Sequence, residues 1–268
     1  MKTKYILKRI INNFSIQFFC IFLIRKNILP RRTKNLISLE GFNKIYKSDI
    51  KIFNNGLDAV SRDLCIFGIP EKEHIIFEKF ISEIKYSNSF LDIGAGIGMF
   101  SLFAKKINPK IKVWSVEPNP VIFKILKKNL DHNNLHGVNT LNKAIMSRSG
   151  TIEFYIPTGN DFSYASYKKN ILEEKNIPFT SVIVESSDLR LETKLDFDVI
   201  KIDVEGAELE VLKGIQEKIR NCKFLFIEIM KENKNDVFML LKKLSFDVII
   251  DSNEYVGNYV FKNNRVNV

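Results

Sequence analysis

Cysteine and histidine are scarce in this 268-residue chain, which contains three of each. The three cysteines are widely separated, so a disulfide framework and a CxxC metal or redox site are both excluded. Free thiols suit a reducing compartment, and we therefore expect a cytoplasmic protein. His132 and His136 are four residues apart but belong to no HExxH pattern. No metal site is expected.

A long apolar run is also lacking. The apolar segment Phe14–Ile24 follows basic residues, as in a signal peptide, but Arg25 and Lys26 stand after it in place of a small-residue cleavage site. Its length of about 11 residues falls short of the roughly 20 that a membrane-spanning helix requires. The sequence therefore predicts neither a cleaved signal peptide nor a membrane span.

Acidic residues are absent from the first 39 positions, which carry nine basic side chains. The net charge of the whole chain is +10, yet the remaining 32 basic residues nearly balance 31 acidic ones. A groove that binds nucleic acid would need positive charge on the main domain, so we expect no nucleic-acid partner. A basic terminal segment instead suits an anionic surface such as a membrane leaflet.

The segment 5–24 has the pattern of a helix whose first half is amphipathic and whose second half is apolar all round. Such a helix either makes peripheral contact with a membrane or packs on the main domain or on a second subunit. The sequence leaves both arrangements open, and it does not predict the oligomeric state. We expect residues 1–50 to form this extension and a connector, and residues 51–268 to form the main domain.

Strands and helices alternate from about residue 71 onwards. An amphipathic helix precedes the short buried strand Phe90–Ile93, and a βαβαβ pattern then extends to Ala144. Two extra strands, Thr151–Ile156 and Ser181–Glu185, separate this half from a second run of alternating elements. Asn258–Phe261 is expected to close the sheet as an antiparallel edge strand. This order predicts an α/β fold with a doubly wound, Rossmann-like sheet.

A glycine-rich turn follows the first buried strand in the segment Phe90–Gly98. Glycines allow the backbone to approach a ligand closely, and the free amides of the next helix can meet a carboxylate. A dinucleotide fingerprint needs its third glycine at position 99, where this chain has Met99, so the spacing favours S-adenosylmethionine over NAD. Asp92 is placed to receive the ammonium group of that donor. The turn residues expected to contact it are Gly94, Ala95 and Gly96.

Two further strand ends belong to the predicted cofactor site. Glu117 ends the second strand, 23 residues beyond Gly94, where an acid can accept both ribose hydroxyls. Asn142 and Ala144, at the end of the third strand, are expected beside the adenine. The alternative for this last pair is a plain strand end with no ligand contact.

The fourth main strand ends in the sequence KIDVEGAE, from Lys201 to Glu208. Together with DIGAGIG at residues 92–98 and EPNP at residues 117–120, this motif resembles the FkbM-type methyltransferase family. The resemblance covers roughly residues 78–228. It implies a class I methyltransferase sheet, here with an N-terminal helical extension, and S-adenosylmethionine as cofactor. It also implies O-methylation of a small-molecule or glycan acceptor, because the family acts chiefly on hydroxyls of sugars and polyketide-type products.

Methyl transfer from a sulfonium is an in-line displacement, which needs alignment more than it needs a metal. The acceptor hydroxyl must still lose its proton to a nearby carboxylate, and Asp203 and Glu205 are the candidate bases. Asp203 has the alternative role of contacting the donor or loop amides, and Glu205 that of facing Glu208 on a first helical turn. Glu228 is either an acceptor-side residue or an exposed strand end. Lys201 on the strand can pair with any of these acids, and it is given no catalytic role.

Two other functions remain open from the sequence. One is methylation of nitrogen in RNA or protein, although no Asn/Asp-Pro-Pro-Tyr/Phe element follows the fourth strand. The other is a non-catalytic protein with a donor-binding fold that recruits partners to a membrane. The loop Gly159–Tyr167 mixes aromatic and hydroxyl side chains, which suits closure over a sugar as well as an ordinary polar loop.

Overall fold

The computed structural model describes residues 14–55, 59–70, 73–158, 165–252 and 257–266. The chain divides into two compact units, Met1–Pro70 and Glu71–Val268. This division lies well beyond the boundary at residue 50 that the sequence suggested. The reason is that the expected connector is itself folded and continues the structure of the first unit.

The first unit combines helices with a small antiparallel hairpin. Its elements are α1 (Phe14–Arg25), a 3-10 helix (Arg31–Leu36), β1 (Glu40–Lys44), β2 (Lys51–Asn55) and α2 (Ala59–Phe67). The predicted helix is confirmed from Phe14 onwards, and residues 5–13 lie outside the described residues. Ile50 and Ile52 are buried and give this hairpin an apolar face. The many Asn and Lys residues around them make that face hard to recognise in the sequence. In the described part of the chain, no helix has the length and hydrophobicity needed to cross a bilayer.

The second unit contains the predicted alternation of strands and helices. Its elements are α3 (His74–Ile84), β3 (Ser89–Ile93), α4 (Met99–Ile107), β4 (Lys112–Val116), α5 (Pro120–His132), β5 (Val138–Leu141), β6 (Ala144–Ile145), β7 (Gly150–Pro157), α6 (Lys169–Glu174), β8 (Phe179–Ser187), β9 (Val199–Ile202), α7 (Glu208–Gly214), α8 (Gln216–Ile219), β10 (Phe224–Ile229), α9 (Lys234–Lys243), β11 (Phe246–Asp251) and β12 (Gly257–Asn263). The main sheet has seven strands in the order β11-β12-β10-β9-β3-β4-β5. The strands from β10 to β5 are parallel, and β12 is antiparallel to both of its neighbours. This doubly wound, Rossmann-like sheet confirms the predicted fold class.

Two strand predictions were wrong in detail. The predicted antiparallel edge is strand β12, which lies between β10 and β11 and so leaves β11 at the edge. Its residues Tyr259, Val260 and Phe261 are all buried, as expected for a strand with neighbours on both sides. The predicted strand ending at Ala144 is also divided, because β6 leaves the main sheet and pairs with β8 in a three-stranded sheet with β7.

Aromatic packing fixes β3, the first strand of the main sheet in chain order. The ring of Phe80 on α3 lies 5.1 Å from Phe90, 4.9 Å from Phe100 and 5.6 Å from Phe226, in edge-to-face arrangements. Every residue of β3 is buried. The carboxyl end of β3 is therefore held between packed layers, which positions the turn that follows it.

Candidate functional site

The glycine turn after β3 is shaped by left-handed backbone. Gly94 and Gly96 have φ angles of +73° and +55°, which favour glycine. A Cβ on Gly94 would lie only 1.7 Å from the main-chain oxygen of Asp203, whereas a Cβ on Gly96 would meet no described heavy atom within 4 Å. Gly94 is therefore required by packing, and Gly96 borders open space where a ligand can approach. Between them, the amide of Ala95 donates to the carbonyl of Val116.

The acid at the end of the second strand is bound to this turn. The Glu117 carboxylate accepts hydrogen bonds from the amides of Gly96 and Asn119, each at 2.8 Å. Asn119 in turn caps α5 by accepting from the Val121 amide at 3.0 Å. Burial raises the pKa of Glu117 to about 7, although the two amide bonds oppose the rise. The EPNP segment thus fixes Glu117 against the turn.

Asp92 lies in the interior, with none of its surface exposed. Its Oδ2 accepts a hydrogen bond from the Ser101 hydroxyl at 2.7 Å, while its Oδ1 has no hydrogen-bond partner among the described residues. Burial raises the pKa of Asp92, and the nearby Lys201 opposes the rise. A buried acceptor without a donor fits a cationic ligand group such as an ammonium, because satisfying it recovers its lost hydration.

Lys201 connects Asp92 with Asp203. It lies opposite Asp92 in the β3–β9 register, and its ammonium is 2.9 Å from Oδ2 of Asp203 and 4.5 Å from the ring centre of Phe100. Burial alone would lower the pKa of Lys201, but Asp203 and Asp92 hold it above its ordinary value. The sequence allowed Lys201 to pair with any of the nearby acids, and the structure pairs it with Asp203. What the sequence did not indicate is its burial beside Asp92, in the otherwise apolar strand Val199–Ile202.

Three carboxylates meet at the ends of β9 and β10. Oxygen atoms of Asp203, Glu205 and Glu228 lie within 4.8 Å of one another. Glu205 has a positive φ of 44°, and its pKa is raised to about 9 by burial first and then by the other two acids. A proton on Glu205 therefore relieves the repulsion at neutral pH. Such a group has the geometry to bind a cation, and in this structure the ammonium of Lys201 already contacts Asp203.

Glu208 does not face Glu205 across a first helical turn, which was one of the arrangements that the sequence allowed. The reason is that Glu205 precedes α7. The Glu208 carboxylate instead accepts from the amide of Gly206 at 2.9 Å and from the side chain of Asn233. The carbonyl of Glu205 accepts a hydrogen bond from Ser166 at 2.8 Å. These bonds hold the strained turn in place from both sides.

The two residues predicted beside the adenine take different positions. The side-chain amide of Asn142 donates to the carbonyls of Glu117 and Pro118 at 2.7 and 3.0 Å, so Asn142 lies beside the acid of the second strand. Ala144 is buried and pairs with Ser186 in the smaller sheet. Most of the aromatic and hydroxyl loop, residues 159–164, lies outside the described residues.

The family follows from comparison with known proteins. The family model described as Methyltransferase FkbM domain matches residues 92–248, from the acid before the glycine turn into β11. This chain belongs to the FkbM methyltransferase family. The FkbM-family chain is therefore a methyltransferase that depends on S-adenosylmethionine. The orphan acceptor on Asp92 and the open space at Gly96 fit that cofactor.

Two relatives resemble this FkbM-family enzyme over most of their length, and one solved structure does so over less than half of its own. Methyltransferase sdnD of Sordaria araneosa is 31% identical over 204 residues, which cover 63% of this chain and 78% of the relative. The hexuronic acid methyltransferase AglP of Haloferax volcanii is 29% identical over 181 residues, or 66% of this chain and 71% of AglP. The solved methyltransferase FkbM of Methylobacillus flagellatus is 14% identical with a TM-score of 0.47, covering 66% of this chain and 43% of that one.

Proposed function

We propose that this enzyme O-methylates a hydroxyl of a sugar in a glycan, a glycolipid or a related metabolite. The observation that carries the proposal is the position of Asp203, whose amide donates to the carbonyl of Ile93 at 3.0 Å, directly before the glycine turn. A carboxylate there would lie beside a donor bound at the turn, where an acceptor hydroxyl must lose its proton. Support also comes from AglP, a hexuronic acid methyltransferase, and from the 31-O-demethyl-FK506 methyltransferase of Streptomyces tacrolimicus, 28% identical over 163 residues.

Residues around the turn would hold the cofactor. When bound, S-adenosylmethionine supplies an electrophilic methyl group on a positively charged sulfur. The backbone of Gly94, Ala95 and Gly96 would pass beside its amino-acid part, and Oδ1 of Asp92 would accept from its ammonium. Glu117 would accept from the ribose hydroxyls, as acids at the second strand end do in this fold. The last two predicted contacts, with the adenine, are Asn142 and Ala144.

Asp203 is the stronger candidate for the base. Glu205 keeps its proton at neutral pH because its pKa is about 9, so it is a poor acceptor of another. Oδ2 of Asp203 accepts from Lys201, and this ion pair orients the carboxylate with Oδ1 left to receive the proton of the acceptor. Lys201 is then a positioning residue. General-base catalysis of this kind contributes about a hundredfold or more to the rate.

The Asp203→Asn variant tests this assignment against a matched Glu205→Gln variant. We expect Asp203→Asn to bind S-adenosylhomocysteine normally by calorimetry while transfer of labelled methyl falls by about a hundredfold or more. Glu205→Gln mimics the protonated acid and should keep most of its turnover. Loss of cofactor binding in Asp203→Asn would reassign that residue to the cofactor site. An inactive Glu205→Gln beside an active Asp203→Asn would make Glu205 the base.

The acceptor is tested by incubating the enzyme and methyl-labelled donor with fractionated lysate from its own cells. Label in glycan or glycolipid pools supports sugar O-methylation. Label in RNA or protein would keep the methyltransferase and overturn the acceptor, including our inference that nucleic acid is no partner. Cofactor binding without label in any pool would favour the non-catalytic alternative.

A cytoplasmic setting at the inner face of a membrane completes the proposal. Cys20, Cys65 and Cys222 are free thiols, and the last two are buried, a state that a reducing compartment preserves. The basic, apolar first unit is the part that would reach the membrane. A lipid-linked or surface-glycan precursor would be available there as an acceptor.

A further inference from the structure

Helix α1 has three adjacent, largely exposed aromatic side chains on one side. Its inner face buries Gln17, Ile21 and Ile24, at spacings of four and three that match one side of a helix. On the other side, the exposed fractions of Phe18, Phe19 and Phe22 are 53%, 61% and 51%. Adjacent exposed aromatic side chains of this kind mark an interaction surface more often than a solvated one. We call these three side chains the phenylalanine row.

A groove lined by lysines adjoins the row. It has a volume of about 700 Å³, and α1 and the β1–β2 hairpin form its walls. Phe18 and Phe42 line it together with the basic side chains Lys44, Lys47 and Lys51. Arg25 and Asp49 are the other charged residues of the lining, so basic side chains outnumber acidic ones by four to one. The same groove therefore offers apolar rings and positive charge.

Arg25 and Lys44 make contacts within the first unit. The guanidinium of Arg25 donates to the carbonyls of Ile66 and Cys65 at 2.6 and 2.9 Å and lies 3.9 Å from the ring centre of Tyr46. It therefore serves to hold α1 against the rest of the first unit. Lys44 pairs with Asp49 at 3.0 Å, which leaves the net charge of the groove positive.

We propose that the phenylalanine row and the lysines of the adjoining groove form a docking surface for a membrane rich in anionic phospholipid. Phenylalanine rings partition into the boundary between headgroups and acyl chains, and lysines beside them meet lipid phosphates. Among the described residues no helix is long and apolar enough to cross a bilayer, and a helix that buries one face and exposes aromatic rings on the other is suited to lie in the bilayer surface. The inference rests on the proposed membrane-peripheral setting and is independent of the methyl acceptor.

Charge decides between this occupant and a second copy of the chain. Two copies meeting through the row would bring two basic segments together, since residues 1–39 carry nine basic side chains and no acidic one. Anionic lipid neutralises that charge and accepts the rings at the same time. The observations therefore favour the lipid surface over self-association.

Flotation of the full-length protein with vesicles tests the proposal. Wild type should bind phosphatidylcholine vesicles that contain phosphatidylglycerol at least about tenfold more tightly than pure phosphatidylcholine, and salt should weaken the binding. A triple serine variant at Phe18, Phe19 and Phe22 should lose binding to both kinds of vesicle. Because these side chains are exposed, the variant should fold and bind S-adenosylhomocysteine like wild type.

Two further variants separate the contributions. The matched control places serine at Val121, Ile183 and Leu191, exposed apolar residues of the second unit, and should bind vesicles like wild type. Glutamine at Lys44, Lys47 and Lys51 should remove the preference for phosphatidylglycerol. Equal vesicle binding by wild type and the phenylalanine variant would overturn the proposal. The proposal would also be overturned if wild type sedimented as a dimer, the phenylalanine variant sedimented as a monomer, and neither protein bound vesicles. Cofactor binding is read separately, so failure of docking leaves the methyltransferase proposal standing.

Discussion

Replacing Glu205 with glutamine should stabilise the second unit, which we call the catalytic unit, increasingly as the pH rises above 5. The folded protein holds the pKa of Glu205 at about 9, compared with an ordinary value of 4.5. Between these values the unfolded chain has released a proton that the folded protein still binds. The free energy of unfolding therefore falls with rising pH, and glutamine, which has no proton to lose, removes that fall.

The magnitude follows from the size of the shift. Each pH unit within this window corresponds to about 1.4 kcal/mol, or about 3 kcal/mol between pH 5 and pH 7 for a fully shielded acid. Glu205 is partly exposed, so solvent screening reduces this figure to about 1–2 kcal/mol. The advantage of the variant should grow to about pH 9 and then level off. The strained backbone at this position is common to both proteins and cancels in the comparison.

Urea unfolding between pH 5 and pH 9 measures the difference. The single tryptophan of the chain is Trp114 in β4, so its fluorescence reports on the catalytic unit alone. Glu210→Gln is the matched control, because hydrogen bonds from Ser147 and Lys213 lower the pKa of Glu210. Replacing this carboxylate with an amide should therefore lower the free energy of unfolding at neutral pH. An advantage of Glu205→Gln that stays constant from pH 5 to pH 9 would refute the reasoning, since Glu205 would then be ionised in the folded protein.

Other variants probe the turn, the ion pair and the core. Gly94→Ala should fail to fold or lose several kcal/mol of stability, because the new Cβ would strike the Asp203 carbonyl. Gly96→Ala should lower the free energy of unfolding by only about 1 kcal/mol. Its main effect should be weaker binding of S-adenosylhomocysteine, measured by calorimetry. Lys201→Met should lower turnover by about tenfold or more while the protein stays folded, with partial recovery in Lys201→Arg; unchanged methyl transfer would remove Lys201 from the mechanism. Phe80→Ala should lower the free energy of unfolding by about 3–5 kcal/mol, and a loss below 1 kcal/mol would contradict the packing described for α3.

The parts of the site that the sequence predicted depend on local signals. A buried strand followed by glycines and a helix start is encoded within a few residues, and the turn at Gly94 and Gly96 has the expected form. The acid Glu117 was also recognisable, because it follows the second buried strand and precedes a proline at the start of a helix. In the structure the two meet directly, through the hydrogen bond from Gly96 to Glu117.

The features that sequence reasoning missed depend on contacts between distant segments. Strand β12 looks like an edge strand in isolation, and only its pairing with both β10 and β11 makes it interior. Lys201 lies two residues before Asp203, so their pairing was open from the sequence, but the burial of Lys201 beside Asp92 depends on the register of β3 and β9. The hairpin before residue 55 was overlooked because its strands are short and polar, and their buried face appears only after the unit has folded.

The interior position of β12 has a consequence for synthesis on the ribosome. Strands β10 and β11 leave the exit tunnel before β12, and in the native sheet each of them pairs with β12 and not with the other. During that interval both present open hydrogen-bonding edges, which other nascent chains can join. The first unit draws its described structure from earlier residues and can form co-translationally. We therefore expect the catalytic unit to depend on chaperones in the interval between the synthesis of β11 and that of β12.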